Sequence, residues 1–288
     1  MFDLCPDLAV KRDRLLAMLR GYGSCGVAYS GGVDSAVLAQ AARLALGDDA
    51  VAVTAVSPSL AAGELDAARD LAVRIGIRHE VIHTAELDNP LYTQNAPDRC
   101  YHCKTELYTR LAGLAGRLGV AVIVNGANVD DVGDHRPGMT AAAEQSVRSP
   151  LLQCGLTKVE VRDLARHWQL PVWDKPATPC LSSRIAYGES VTAERLRRID
   201  LAEQALCDEC LGAVRVRYHQ GDVARIEVPV EAIERLCRPA VRLRLVERLK
   251  SLGFKYVTLD LEGFRSGSQN EVLTVELAPL GEWGRLPG

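Results

Sequence analysis

Ser30-Gly31-Gly32-Val33-Asp34-Ser35 is the stretch whose reading decides the fold. It follows the apolar run Gly26-Val27-Ala28-Tyr29 and precedes a helical pattern through Val37, Leu38, Ala41 and Leu44. A strand therefore feeds a glycine turn that opens a helix. Glycines let the backbone approach a polyanion, and the N–H groups at a helix N-terminus favour negative charge. The hydroxyls of Ser30 and Ser35 add donors. Asp34 is the odd member, because a carboxylate beside phosphates is repelled unless a divalent cation such as Mg²⁺ lies between them. The lysine of the G-x-x-x-x-G-K-[ST] loop is missing, so this is a different phosphate-binding turn. A turn that binds nothing has no need of two glycines, two serines and an aspartate at one junction.

Outward from this loop the chain alternates in a βα rhythm. Residues 50–57 (AVAVTAVS) read as a buried parallel strand. Residues 60–75 predict a helix with Leu65, Ala68, Leu71, Ala72 and Ile75 on one face. Residues 79–84 are a third strand, 101–118 a helix, and 120–124 (VAVIV) a fourth strand ending in Asn125-Gly126-Ala127-Asn128. This alternation predicts an α/β fold: a parallel sheet with helices on both faces and ligands at the strands' carboxyl ends. Thr157-Lys158-Val159-Glu160 is a capping box before Val161, Leu164, Ala165 and Trp168. A linker with Pro171, Pro176 and Pro179 follows. Beyond about residue 188 the texture changes to helix 194–210, paired strands 213–218 and 224–228 around Gln220-Gly221-Asp222, helices 230–236 and 239–252, and strand 256–261. Two domains are expected: α/β over 1–188, and a smaller α+β domain over 189–288. The tail 281–288 is expected to fray.

Composition is that of a water-soluble globular protein, 48% hydrophobic and 25% charged over 288 residues. A net charge of -3 argues against broad nucleic-acid binding. The start MFDLCPDLAVKRDRLL has no apolar signal core, and charges interrupt every apolar run. A cytoplasmic protein without a membrane partner is expected. There, nine cysteines read as thiols, metal ligands or catalysts rather than a disulfide framework.

Cys100-Tyr101-His102-Cys103-Lys104 opens a helix after the Pro97-Asp98 turn. Thiols at this spacing suit a tetrahedral metal, an iron–sulfur cluster or a redox disulfide. Cys180, in Thr178-Pro179-Cys180-Leu181-Ser182-Ser183-Arg184, is not placed like a buried apolar filler, and a nearby guanidinium favours thiolate. Cys207 and Cys210 form a second C-x-x-C, which makes a Cys₄ zinc site with Cys100 and Cys103 a rival. Their place in the last turns of an amphipathic helix favours a structural role. Cys5, Cys25, Cys154 and Cys237 stand singly, and the six histidines show no pair at metal-ligand spacing.

The SGGVDS loop resembles the PP-loop of the adenylating ATP pyrophosphatases, which implies an adenine nucleotide alpha hydrolase-like fold and cleavage of ATP to an adenylate and pyrophosphate. With it, in order, come RCYHCK, Asn125-Gly126-Ala127-Asn128-Val129-Asp130-Asp131, Lys175-Pro176, PCLSSR and Gly263-Phe264-Arg265-Ser266-Gly267-Ser268. Together, over nearly the whole chain, these resemble the LarE family of ATP-dependent sulfur transferases in nickel-pincer nucleotide biosynthesis. The resemblance implies that the carboxylates of pyridinium-3,5-biscarboxylic acid mononucleotide are adenylated and converted to thiocarboxylates. The family has two versions: a single cysteine at the place of Cys180 gives up its own sulfur, or that cysteine and a C-x-x-C pair hold a [4Fe-4S] cluster carrying sulfide. Cys100, Cys103 and Cys180 match the cluster version, and three ligands leave one iron open.

The roles that follow are these. Ser30, Gly31, Gly32 and Ser35 hold the pyrophosphate end of ATP, and Asp34 binds Mg²⁺. The family fold places adenine near Ala55 and Ser57. Gly126, Asp130 and Asp131 follow the fourth strand and face the same cleft, where one aspartate holds a metal or orients substrate; an exposed acidic turn is the alternative. Lys104 and Arg184 lie next to cluster cysteines and attract the anionic adenylate, against the alternative of solvated surface charge. Arg215 and Arg217 share one strand face and suit a phosphate, and Glu227 opposite can bind a cation or pair with an arginine. A sulfide source is needed, and the family's hexamers imply a homo-oligomer. The rivals are sacrifice of the Cys180 sulfur, a tRNA thiolase, and a nucleotide or cluster sensor without turnover. A tRNA thiolase needs a basic surface that the net charge does not advertise.

Overall fold

The computed structural model describes residues 3–132, 137–209, 212–265 and 267–270. His135, Cys210, Ser266 and the tail 281–288 lie outside them. The chain divides into two compact units, Met1–Cys180 with Ser190–Ala193, and Leu181–Glu189 with Glu194 onward.

In the first unit α1 (Pro6–Arg20) precedes β1 (Cys25–Ala28), α2 (Val33–Leu46), β2 (Ala50–Val56), α3 (Glu64–Ile75) and β3 (Arg78–His83). Then follow α4 (Pro90–Thr93), α5 (Arg99–Leu118), β4 (Val122–Val124), α6 (Pro137–Glu144), α7 (Pro150–Gln153) and α8 (Lys158–His167). The four strands are parallel in the order β3-β2-β1-β4. Alternation along β2 explains the two covered faces. Ala50 and Ala52 join Val27 in a core with Leu15 of α1, Leu38 of α2, Leu71 of α3 and Leu164 of α8. Val51 and Val53 point the other way, with Ile82, into a core with Tyr108 and Leu111 of α5 and Ala141 of α6. This is the parallel sheet with helices on both faces expected of a PP-loop α/β fold. Buried alanines at 36, 39, 41 and 42 let α2 lie close on the sheet.

The chain runs from β1 through β2 to β3 in one direction and returns to place β4 on the other side of β1. That reversal opens a crevice at the carboxyl ends of β1 and β4, where α/β sheets bind ligands. The SGGVDS loop leaves β1 there.

Two boundaries differ instructively from expectation. The helix expected from residue 60 starts at Glu64, because Gly63 takes a left-handed conformation with φ 78°. The second C-x-x-C was placed within a helix, but that helix, α9 (Ala193–Cys207), ends at its first cysteine. α1 carries its buried Leu8, Leu15 and Leu19 among Lys11, Arg12, Asp13 and Arg14, which dilute its apolar stripe.

The second unit is α+β. After α9, β5 (Arg215–His219) and β6 (Val223–Glu227) form an antiparallel hairpin, turned by Gly221 and Asp222 at φ 80° and 58°. Helices α10 (Val230–Cys237) and α11 (Pro239–Ser251) then lead to β7 (Tyr256–Leu259), parallel to β6. Among the described residues no helix is long and apolar enough to cross a membrane.

Leu164 and Val159 lie on the same helix with 0% and 69% exposure. Leu164→Ala should therefore lower stability by about 2–5 kcal/mol, whereas Val159→Ala should stay within about 0.5 kcal/mol of the parent. Urea denaturation of both variants checks the assignment of the core face.

Candidate active site

The loop between β1 and α2 has the geometry that its residue types predict. Gly31 has φ 73°, and a Cβ there would lie 3.1 Å from the Ala68 Cβ and 3.2 Å from its Cα. Glycine is thus demanded twice, by the left-handed backbone and by the approach of α3. Gly32 is the N-cap of α2 and supplies no side-chain cap, so the first-turn N–H groups are available to an anion. The Ser35 hydroxyl donates to the Gly32 carbonyl at 3.1 Å, accepts from the Ser30 N–H at 3.2 Å and lies 3.2 Å from the Ser30 Oγ. Both hydroxyls are thereby held at the mouth of the turn.

The turn after β4 closes the other side. A Cβ on Gly126 would sit 3.0 Å from the Asp34 carbonyl carbon and 3.0 Å from the Ser35 nitrogen, both backbone atoms that cannot yield. Two residues on, Asn128 Nδ2 donates to Asp34 Oδ1 at 3.1 Å. Lys158 Nζ donates to Asp34 Oδ2 at 2.5 Å. Asp34 is therefore held by an amide and an ammonium from two distant segments. Each of its oxygens still has a lone pair for a cation.

Asp130 and Asp131 were expected to hold a metal or orient substrate, but their carboxylates are engaged in capping. Asp131 accepts from the Asn128 N–H at 2.9 Å in a capping box. Asp130 accepts from the Lys158 N–H at 2.5 Å, at the start of α8. Asp130 thus positions the helix that carries Lys158. Sequence reasoning passed over Lys158 as part of a capping box. A signal was present: a lysine at the first position of a helix opposes the helix dipole and needs a counter-charge.

Ala55 and Ser57 end β2. The Ser57 hydroxyl lies 2.7 Å from Ser59 Oγ and donates to Glu86 Oε1 at 2.5 Å. Glu86, 3% exposed, was not singled out in the sequence.

The thiols gather at the start of α5. Cys100 and Cys103 stand three residues apart and so share a helix face; Cys100 is exposed and Cys103 partly buried. Cys180, exposed, completes the set, and all three are thiols. Burial pushes the Cys103 thiol up to about 12; Lys104 opposes this, while Cys180, Glu86 and Cys100 add to it. The three cysteines therefore lie within one another's field. Lys104 is exposed to solvent, yet the protein around it partly desolvates its ammonium. That desolvation alone would lower its ammonium, but Tyr108, Cys103, Cys100 and Cys180 outweigh it and hold the group above its ordinary value. Lys104 is thus a cation throughout the neutral range. α6 lies over this turn, for a Cβ on Gly138 would come 3.0 Å from Lys104 Cγ. No three of His, Cys, Asp and Glu among the described residues converge as ligands of a single metal ion. Three free thiols from two segments are the donor type that an iron–sulfur cluster takes.

In the second unit Arg184 departs from expectation. It is 1% exposed and forks onto Glu203 through Nε–Oε1 at 3.0 Å and Nη2–Oε2 at 3.2 Å. Its charge is spent inside the unit, so it is not available to attract an adenylate. Arg217 and Glu227 likewise form a buried cross-strand pair at 2.7 Å, with Ser268 Oγ accepting from Arg217 at 3.0 Å. Arg215 is half-buried, and its guanidinium is pulled below its ordinary value by burial and then by Arg184, against the opposing pull of Glu203. Arg215 Nη1 donates to the Val214 carbonyl at 2.7 Å, and its guanidinium lies over the Phe264 ring.

No family profile matches the chain. Individual relatives do. The chain is 37% identical over 268 residues, 93% of its length and 96% of the relative's, to the pyridinium-3,5-bisthiocarboxylic acid mononucleotide synthase of Lactiplantibacillus plantarum. The chain belongs to the LarE family. Two further relatives are uncharacterised: one from Synechocystis, 49% identical over 86% of this chain and 92% of its own, and one from Methanocaldococcus jannaschii, 27% identical over 83% and 90%. A LarE-family chain that keeps thiols at 100, 103 and 180 has a test in reactivity. Thiolate is the reactive form, so a thiol pushed up to about 12 stays protonated at pH 8. Iodoacetamide at that pH should modify the exposed Cys100 and Cys180 before Cys103, as read by mass spectrometry of the apoprotein. Raising the pH toward 10 should narrow the gap.

Proposed function

We propose that this chain is an ATP-dependent sulfur transferase that adenylates the carboxylates of pyridinium-3,5-biscarboxylic acid mononucleotide and converts them to thiocarboxylates for nickel-pincer nucleotide synthesis. The observation that carries the reading is the presence, in one compact unit, of a clamped phosphate turn and a set of three thiols around a lysine. The Lactiplantibacillus relative, named for the bisthiocarboxylic product, supports the choice of acceptor.

In the first half-reaction a substrate carboxylate oxygen attacks the α-phosphorus of ATP, and the bond to pyrophosphate breaks. Ser30, Gly31, Gly32 and Ser35 donate to the departing pyrophosphate. Lys158 offsets its charge. Asp34 would hold a Mg²⁺, which when bound supplies further electrostatic stabilisation of a leaving group. In the second half, sulfide forms a bond to the acyl carbon as AMP leaves with the carboxylate oxygen. Cys100, Cys103 and Cys180 would hold a [4Fe-4S] cluster, which supplies a transferable sulfide when bound. Lys104 attracts the anionic adenylate toward these thiols. In the second unit, Arg215 would take a phosphate.

Pyrophosphate release from ATP should depend on the pyridinium dicarboxylate; release that depends on tRNA, or none at all, would replace this reading by a tRNA thiolase or a sensor. Lys158→Ala should weaken ATP use by about ten- to a hundredfold, the scale of a lost charged hydrogen bond. Anaerobically purified protein should contain about four irons per chain. Cys100→Ala should lose both the iron and repeated turnover. One stoichiometric sulfur transfer surviving in that variant would show that Cys180 gives up its own sulfur.

A further inference from the structure

Cys180 must meet Cys100 and Cys103 for the sulfur chemistry above, yet it stands on a linker outside any helix or strand. Residues 176–180 are all exposed, so no core fixes the arm that ends in Cys180. Pro176 and Pro179 lock two of its φ angles. A short, stiffened arm passes the orientation of its base on to its tip. What holds the base therefore decides where the thiol points.

That base is gripped by one side chain. Arg162 on α8 donates from Nη1 to the Trp173 carbonyl at 2.6 Å and from Nη2 to the Lys175 carbonyl at 3.0 Å. Two charge-assisted bonds from one planar fork fix direction as well as position. Trp173 also packs against the core, and Arg166, one turn beyond Arg162, lies 4.1 Å over its ring. Lys175 Nζ pairs with Glu64 Oε2 at 2.8 Å. The helices that supply these ties are two that touch the glycine turn. α8 reaches Asp34 through Lys158, one turn before Arg162. α3 begins at Glu64 and abuts Gly31 through Ala68, one turn later. We propose that Arg162 is a positioning residue: it aims Cys180 at the thiols of α5 by fixing the base of its arm to the helix that carries Lys158. The proposal rests on the three-thiol reading above.

Dibromobimane, which bridges two nearby thiols, tests this on the full chain freed of metal, with no turnover required. Peptide mapping by mass spectrometry separates the product joining Cys180 to Cys100 or Cys103 from the product joining Cys100 to Cys103. The second product lies within α5 and serves as an internal standard. Freed back to the buried Leu170, the arm would about double in length, and the chance that its tip meets α5 falls about threefold. Arg162→Met, which keeps the bulk and removes the donors, should lower the ratio of the first product to the second by that factor. Arg162→Lys, which keeps the charge and one donor, should recover part of the ratio. An unchanged ratio in Arg162→Met would overturn the assignment. So would an equal fall in both products with a lowered urea midpoint, which marks a purely structural role. If Arg162→Met does not fold, Arg162→Lys carries the test, and a ratio equal to the parent's overturns the assignment. If the unaltered protein forms no link between Cys180 and α5, the three-thiol reading itself has failed and the inference falls with it.

Discussion

The glycine turn after β1 depends on one close approach, the backbone of Gly126 against the first turn of α2. With only 3.0 Å between an imagined Cβ and backbone atoms of residues 34 and 35, no other residue fits without moving the loop. The approach lets the same turn carry Asn128 to Asp34, and it brings Asp130 to the start of α8 so that Lys158 faces Asp34 from the other side. Take away the glycine and three polar contacts lose their register together. The turn is thus held from the β4 side as much as by its own glycines.

Charge is handled differently in the two units. In the first, Lys104 stays protonated, held up by Tyr108 and the thiols, while Cys103 is kept as a thiol by burial and by its acidic and thiol neighbours, against the pull of Lys104. A metal ligated by these thiols would have to displace their protons, so its binding would depend on pH. In the second unit the arginines are mostly spent on buried partners, Arg184 on Glu203 and Arg217 on Glu227. Such pairs seldom add net stability, because desolvation offsets attraction, but removing one partner is costly. Their effect is to fix the strand face on which Arg215 sits.

The order of strands and helices was legible because each obeys a local rule: apolar runs of strand length, helical spacing, a capping box, glycine at a turn. Helices with diluted stripes were not, and α1 is the example, since four charged residues lie between its buried Leu8 and Leu15. Individual site residues divide in the same way. Gly31 and Ser35 could be read because their roles are local to the loop. Lys158 and Glu86 could not, because each gains its meaning from a partner far off in sequence: Asp34, 124 residues away, and Ser57, 29 residues away.

What the sequence determined by itself is the α/β class, the phosphate turn and the presence of three thiols suited to a cluster, all properties of short segments and residue types. What only the tertiary structure decided is the allocation of charge. Arg184, Arg217, Asp130 and Asp131 all looked available for ligand and are engaged in ion pairs and caps, while a lysine in a capping box reaches Asp34 of the glycine turn. The physical reason is that a charged group's role depends on its nearest counter-charge and on its exposure, and chain folding sets both.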